Sequence, residues 1–121
     1  MTPTQRTLKL LREAGWLPWV VERYAGGVRI DLFNCVDLVA LKGSGTLAVQ
    51  CTSTGVAERV AKIQGSPYLQ AMLDAGWQVL VVGWRKNSKG RYTVRILSIT
   101  ETVQELEELP GGKPERPQID P

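Results

Sequence analysis

The sequence has no histidine. That absence excludes Ser-His-Asp and Cys-His catalysis, histidine-ligated zinc and imidazole proton shuttles. Its two cysteines, Cys35 and Cys51, are too few for a disulfide framework and lack metal-ligand spacing. Both are expected to be small buried residues in a reducing compartment. No apolar run approaches the roughly 20 residues that span a bilayer. The opening segment, MTPTQRTLKLLREAG, carries charges throughout and reads as an amphipathic helix, not a secretory leader. The chain is therefore expected to stay in the cytoplasm where it is made, away from membranes. The remaining chemistry must run on carboxylates, amides, hydroxyls, Lys and Arg, with a hard cation such as magnesium or manganese as the natural cofactor.

What is present suits one globular domain. The chain has 121 residues, 43% apolar and 22% charged, enough to bury a single core. Its formal charge of +3 conceals an asymmetry. Residues 1–100 hold 13 basic and 6 acidic residues, whereas residues 101–121 hold 2 and 6. A basic body fits a polyanionic partner, because Lys and Arg displace counterions from phosphates.

Thr2-Pro3 is an N-cap with proline at the first helical position, and Leu8, Leu11 and Ala14 recur at helical spacing up to Gly15. A strand is expected over 16–24 and a loop at Ala25-Gly26-Gly27. Apolar runs over 35–41 and 46–52 flank Lys42-Gly43-Ser44-Gly45 and predict a β-hairpin. A helix capped by Ser53 or Thr54 follows, is interrupted at Gly65-Ser66-Pro67, restarts, and stops at Gly76. Strands over 77–84 and 91–99 complete an α-β-β-β-α-β-β order for an α/β domain over 1–100. Residues 101–110 are expected to form a short acidic helix or extension, and 111–121, rich in proline and glycine, a disordered tail. The repeated corner, Ala14-Gly15-Trp16 and Ala75-Gly76-Trp77, reads as two similar helix-to-strand junctions rather than a duplication.

The informative stretch is Val36-Asp37-Leu38-Val39-Ala40-Leu41, a turn, and Leu47-Ala48-Val49-Gln50-Cys51-Thr52. Asp37 interrupts an apolar strand, which costs several kcal/mol unless its charge is paired. Gln50 and Thr52 lie two apart and share one face of the next strand. A two-residue turn at Gly43-Ser44 sets Asp37 opposite Gln50, and a four-residue turn sets it opposite Thr52. Either brings the three side chains to one face; a three-residue turn with a bulge does not.

This layout of helix, "GW", strand, loop, "VDLVALK", turn, "LAVQCTS" and helix resembles the PD-(D/E)xK nuclease superfamily. It is nearest to archaeal-type Holliday-junction resolvases and small virus-type replication-repair nuclease domains. It is also similar to short phage and bacterial proteins with a "DLFGFxDxLAL…LAVQxTS" pattern. The resemblance implies a restriction-endonuclease-like αβββαββ core with a mixed central sheet flanked by helices. It implies acids holding one or two magnesium or manganese ions, a lysine that positions the attacking water, and DNA as the partner. It places the protein in a bacterial or phage-infected cell. Asp37 matches the first metal-binding acid, Gln50 stands at the second acid and Thr52 at the lysine. Gln50 offers a neutral carbonyl to a metal, but Thr52 cannot replace an ammonium. Lys62 on the following helix is the natural donor, with Arg59 three residues earlier on the same helix as a nucleic-acid contact. The first-helix glutamate of resolvases has no counterpart at Thr4-Gln5, and Glu22 can contribute a carboxylate instead.

Plainer readings stand beside these. Asp37 can pair with Arg23 or Arg29, Gln50 and Thr52 can be ordinary sheet residues, and Lys62, Arg59 and Glu22 can be solvated charges. Asp31 and Asn34 read as turn formers rather than ligands. Arg85, Lys86, Lys89 and Arg91 crowd a hairpin tip between Trp84 and Tyr92. Such a tip can grip phosphates and stack on a base, or simply solubilise a turn. The leading expectation is a metal-dependent DNA endonuclease, with a junction or branched substrate and a two-fold dimer implied by the resemblance. The alternatives are a catalytically inactive nucleic-acid-binding module on the same fold and a protein-interaction module.

Overall fold

A computed structural model describes residues 1–111. Along the chain run α1 (Pro3–Glu13), β1 (Leu17–Val20), β2 (Arg23–Ala25), β3 (Val28–Ile30), β4 (Leu38–Lys42) and β5 (Gly45–Thr52). Then come α2 (Val56–Gln64), α3 (Tyr68–Asp74), β6 (Gln78–Lys86), β7 (Tyr92–Ile99) and β8 (Val103–Leu106). Six strands form one sheet in the order β1-β4-β5-β6-β7-β8, while β2 and β3 form a separate ribbon. The β5–β6 pair is parallel and its neighbours are antiparallel, so the sheet is mixed.

Strand alternation divides the core. Leu38, Ala40, Leu47, Val49, Leu80 and Val82 face α1 with Leu11 and Trp16. Ala48, Val79, Val81, Leu97 and Ile99 face α2 and α3 with Val60, Ile63, Leu69 and Met72. Both sheet faces are thus covered, as a parallel crossover through two helices demands. Gly83 lets α2 approach β6 closely, since a Cβ there would lie 2.7 Å from Val56 Cγ2.

The local signals in the sequence act as read. Thr2 and Gln5 form a reciprocal capping box on α1. The two glycine–tryptophan corners share one geometry. The Trp16 amide donates to the Leu11 carbonyl and the Trp77 amide to the Met72 carbonyl, each at 2.9 Å, with Gly15 and Gly76 at positive φ. The Ser66 hydroxyl accepts from the Tyr68 amide and restarts the helix after the break at Gly65.

Three stretches differ from expectation. The single strand expected over 16–24 is two strands, β1 and β2, because the chain leaves the sheet at Val21-Glu22 to enter the ribbon. The second helix starts at Val56 from Gly55 in a left-handed conformation, with no side-chain cap from Ser53 or Thr54. Of the acidic helix or extension expected over 101–110, the helix does not form: the segment is extended and gives the edge strand β8, paired with β7. Its charges are answered across the strands, Arg95 to Glu105 at 2.7 Å, and Leu109 is buried beside α1. The Trp16 indole N–H donates to the Pro110 carbonyl at 3.0 Å and fastens this end of the chain. The tail expected to be disordered lies, apart from Gly111, outside the described residues.

Candidate active site

Lys42 pairs with Gly45, so the hairpin turn is the two-residue Gly43-Ser44, and the ladder runs to Leu38 opposite Val49. Continued one step, that register sets Asp37 opposite Gln50. Asp37 sits just beyond the regular strand: its amide donates to the Val49 carbonyl at 2.9 Å, and its carboxylate accepts from the Cys51 amide at 2.9 Å. Its side chain is fully buried.

The β2–β3 ribbon supplies the rest. Gly26 and Gly27, both at positive φ, turn the chain back in two residues and align Tyr24 with Arg29. Arg29 Nη2 then reaches Asp37 Oδ1 at 2.8 Å, and its Nε–H donates to Glu22 Oε2 at 2.7 Å. Asp31 Oδ1 lies 3.3 Å from the same Nε. Because that nitrogen has one hydrogen and gives it to Glu22, the Asp31 oxygen feels the charge but receives no hydrogen bond. Glu22, Asp31 and Asp37 each place an oxygen within 4.8 Å of the others. Gln50, 1% exposed, has neither its amide oxygen nor its amide nitrogen partnered. A buried amide left without partners is costly, so the Gln50 oxygen and nitrogen are open to a water, ligand or ion.

Electrostatics follow from this crowding. Burial pushes the Asp37 carboxyl above the usual range, although the Cys51 amide and Arg29 pull the other way. Burial, and next the charge of Asp37, raise Asp31, while Arg29 and Lys62 oppose the rise. Burial works against the charge of Arg29, but the surrounding carboxylates outweigh it and raise its pKa. Burial pushes the Cys51 thiol up to about 12 and raises Cys35, so both buried cysteines are unreactive thiols at neutral pH.

The oxygens of Glu22, Asp31, Asp37 and Gln50 are the donor set a hard divalent cation takes, and the cluster's negative excess over Arg29 fits its charge. The residues present therefore fit magnesium or manganese.

Of the sequence-derived candidates, the structure brings Asp37 and Glu22 into one cluster, with Gln50 next to Asp37 by register. Lys62, exposed near the end of α2, lies close enough for its charge to act on Asp31. Thr52 is committed elsewhere: its hydroxyl accepts from the Thr54 amide and donates to the Thr54 carbonyl, closing the turn before α2. Arg59 is half-buried on α2. Two members were missed, Asp31, read as a turn former, and Arg29, weighed only as a plain partner. Asp31 does accept a turn hydrogen bond from Asn34 through its carbonyl, while its carboxylate joins the cluster.

The basic tip is exposed and ordered by Asn87, whose side-chain oxygen accepts from the Lys89 and Arg91 amides at 2.9 Å. Thr52 pairs with Gly83, so Arg85 and Lys86, the last residues of β6, and Lys89 and Arg91 in the turn after it extend past the C-terminal end of β5, the end of the sheet that carries the cluster. The flanking aromatics are not free platforms. The Trp84 indole donates to Thr7 on α1, and the Arg6 guanidinium covers the Tyr92 ring at 3.5 Å.

No protein-family model matches this sequence, and no curated protein matches it. Among solved structures the chain is similar to Hjc, a Holliday junction resolvase from the archaeal hyperthermophile Archaeoglobus fulgidus. The two share 20% identity with a TM-score of 0.52, over 86% of this chain and 84% of that one. The likeness is one of fold: a mixed sheet with three helices on the restriction-endonuclease-like plan.

Proposed function

We propose that this chain is a divalent-cation-dependent nuclease of the PD-(D/E)xK type that hydrolyses DNA phosphodiesters, with branched or junction DNA as substrate. The observation that carries the reading is the cluster of Glu22, Asp31 and Asp37 with the unpartnered, buried Gln50 amide beside it. It lies at the C-terminal ends of a parallel strand pair, where open α/β sheets hold their ligands. Glu22, Asp31, Asp37 and the Gln50 carbonyl would hold magnesium or manganese, which when bound polarises the phosphate and lowers the pKa of water.

The chain's own residues do the rest. The Cys51 amide fixes Asp37 Oδ2, so Oδ1, which Arg29 holds, keeps one direction. Lys62, close to Asp31, supplies the positive charge that Thr52 cannot, and faces the charge that builds on a pentavalent phosphate. Arg85, Lys86, Lys89 and Arg91, with Arg59 on α2, hold flanking phosphates and set the strand's register.

A second copy has a surface to meet. Leu17, Trp19 and Leu41 are 71%, 76% and 51% exposed beside the sheet edge at β1, and a two-fold dimer built there would match a two-fold junction.

One observation favours a rival. Arg29 already neutralises part of the cluster, as in a structural ion-pair network, and a binding module on this fold would need nothing more. Incubating labelled four-way-junction, flap and linear DNA with magnesium or manganese decides between them. Metal-dependent cutting that disappears in Asp37→Asn is the expected result. Binding without cutting in any metal would leave the inactive module.

A further inference from the structure

Between the ribbon and β4 the chain makes a tight loop that exposes the protein's single phenylalanine. Leu32 and Val36 exchange backbone hydrogen bonds at 3.0 and 2.9 Å, and between them Phe33 and Asn34 both sit at positive φ, 52° and 62°. A left-handed conformation costs an L-residue about 1–2 kcal/mol, and asparagine tolerates it far better than a bulky aromatic does. At Phe33 the cost holds an aromatic ring outward. That ring stacks on Tyr68 of α3, centroids 5.1 Å apart and planes 21° apart, and leans on Trp77 at 6.2 Å. Phe33 and Tyr68 remain 37% and 46% exposed, so both rings are open to solvent.

The pair divides two open clefts. One is apolar, lined by Ala71, Met72, Ala75 and Trp77; the other contains Asn34, Ser66 and Lys62. Asp31, a member of the carboxylate cluster, lies two residues before Phe33, and two residues of chain span at most ~7 Å. Lys62 connects the two places, since it lines the cleft and its charge acts on Asp31. An aromatic face, a cation and a phosphate-cutting centre within such a reach match one kind of ligand, a nucleotide whose base is not paired. Duplex DNA keeps its base faces stacked inside and has no use for the ring.

We infer that Phe33 and Tyr68, with Lys62 beside them, form a stacking site for an unpaired nucleobase next to the cleaved bond. The inference rests on the nuclease reading and narrows its substrate to DNA with unpaired bases at the branch or gap. Tyr68 and Phe33 supply the π-face, Lys62 the contact to the adjoining phosphate, and the ribbon loop fixes the base relative to Asp31.

The test is binding of the wild-type chain in EDTA, where no cutting intervenes. Fluorescence anisotropy compares a fully paired duplex with the same duplex carrying a short gap with an unpaired 2-aminopurine. Expected are quenching of the 2-aminopurine and a preference of about 10-fold for the gapped DNA, the size of one base–aromatic stack. Phe33→Leu and Tyr68→Leu, both of which keep an apolar side chain, should abolish quenching and preference while leaving duplex binding unchanged. Tyr68→Trp should retain both, and thermal melts report that each variant is folded. Equal wild-type binding to the two DNAs, or quenching that survives both leucine variants, overturns the stacking site and leaves the nuclease reading standing. Binding to neither DNA overturns the stacking site, while the nuclease reading stands or falls on metal-dependent cutting.

Discussion

Arg29 balances the charge of the carboxylate cluster, so Arg29→Gln should separate the stability of the metal-free protein from its affinity for a cation. Oxygens of Glu22, Asp31 and Asp37 lie within 4.8 Å of one another. At an effective dielectric near 20, each such pair repels by about 3–4 kcal/mol, close to what each carboxylate gains from a guanidinium at contact. With Arg29 in place, attraction and repulsion nearly cancel. Without it the cluster relieves itself by taking up a proton, which at neutral pH costs about 4 kcal/mol for an ordinary carboxyl and sets the upper limit. The Arg29 side chain is 37% exposed, so screening brings the expected loss down to about 2 kcal/mol.

A loss of that size lowers Tm by roughly 8 °C for a domain of this length. The same guanidinium holds Glu22 and Asp37 oxygens that a cation would otherwise take. Its removal should therefore tighten magnesium or manganese binding by about 30-fold, the equivalent of ~2 kcal/mol. Thermal unfolding in EDTA reads the first quantity and titration calorimetry the second. Cation should stabilise Arg29→Gln more than it stabilises the wild type. A variant as stable as wild type in EDTA, with unchanged cation affinity, would show that Arg29 is an ordinary surface ion pair and would refute the reasoning.

Three further outcomes are expected. Asp37 and Asp31 titrate above their ordinary range when folded, so the folded state binds protons more tightly than the unfolded chain. Metal-free stability should then rise as pH falls from neutral towards the ordinary carboxylate pKa, the gain being complete below it and lost again as pH climbs through the raised values. Denaturant melts across that window should show a rise that Asp37→Asn flattens. Gly83→Ala should cost about 1–3 kcal/mol by overpacking against Val56, read as a lower urea midpoint at unchanged slope. Replacing Arg85, Lys86, Lys89 or Arg91 by glutamine should reduce the slope of log affinity against log salt by about 1 for each phosphate contact removed. The loss should be equal for paired and gapped DNA; a selective loss for one would mean the tip reads structure rather than charge.

The parts of the fold governed by neighbouring residues were legible in the sequence. The Thr2 cap and the glycine–tryptophan corners depend on contacts within a few positions and formed as read, and the hairpin took the two-residue turn at Gly43-Ser44, one of the forms the sequence allowed. The sequence left Asp37 opposite either Gln50 or Thr52, and only the observed two-residue turn decides for Gln50. Arg29 and Asp31 were harder to place, because their roles depend on where the β2–β3 ribbon lies against β4, and no periodicity encodes that. The available signal was Gly26-Gly27, a two-residue turn, with acids on either side at Glu22 and Asp31. The acidic run after Glu101 misled because composition favours a helix there, whereas β7 offered an open edge and Arg95 a partner for Glu105. Trp84 and Tyr92 looked like a platform because the sequence does not show that α1 covers both.

The same geometry bears on why Gln50 and Thr52 depart from the pattern of the nucleases this chain resembles. A second acid on β5 would be a fourth carboxylate beside Glu22, Asp31 and Asp37. Before a cation binds, Arg29 alone would stand against its three added repulsions of about 3–4 kcal/mol each. The neutral amide of Gln50 offers an oxygen to a cation without adding charge. A lysine at position 52 would have to give up the turn that the Thr52 hydroxyl closes before α2. Lys62 lies near Asp31 without that conflict. On the proposed nuclease reading the acids stand on the ribbon rather than on β5, and the consequence for Gln50 is testable together with Arg29. Gln50→Glu in the wild type should weaken the metal-free fold by adding a charge with no donor. In the Arg29→Gln background, where repulsion is already unrelieved, the loss should be larger still. A double-mutant cycle by chemical denaturation in EDTA reads that coupling, and strictly additive losses would mean that Gln50 does not belong to the cluster.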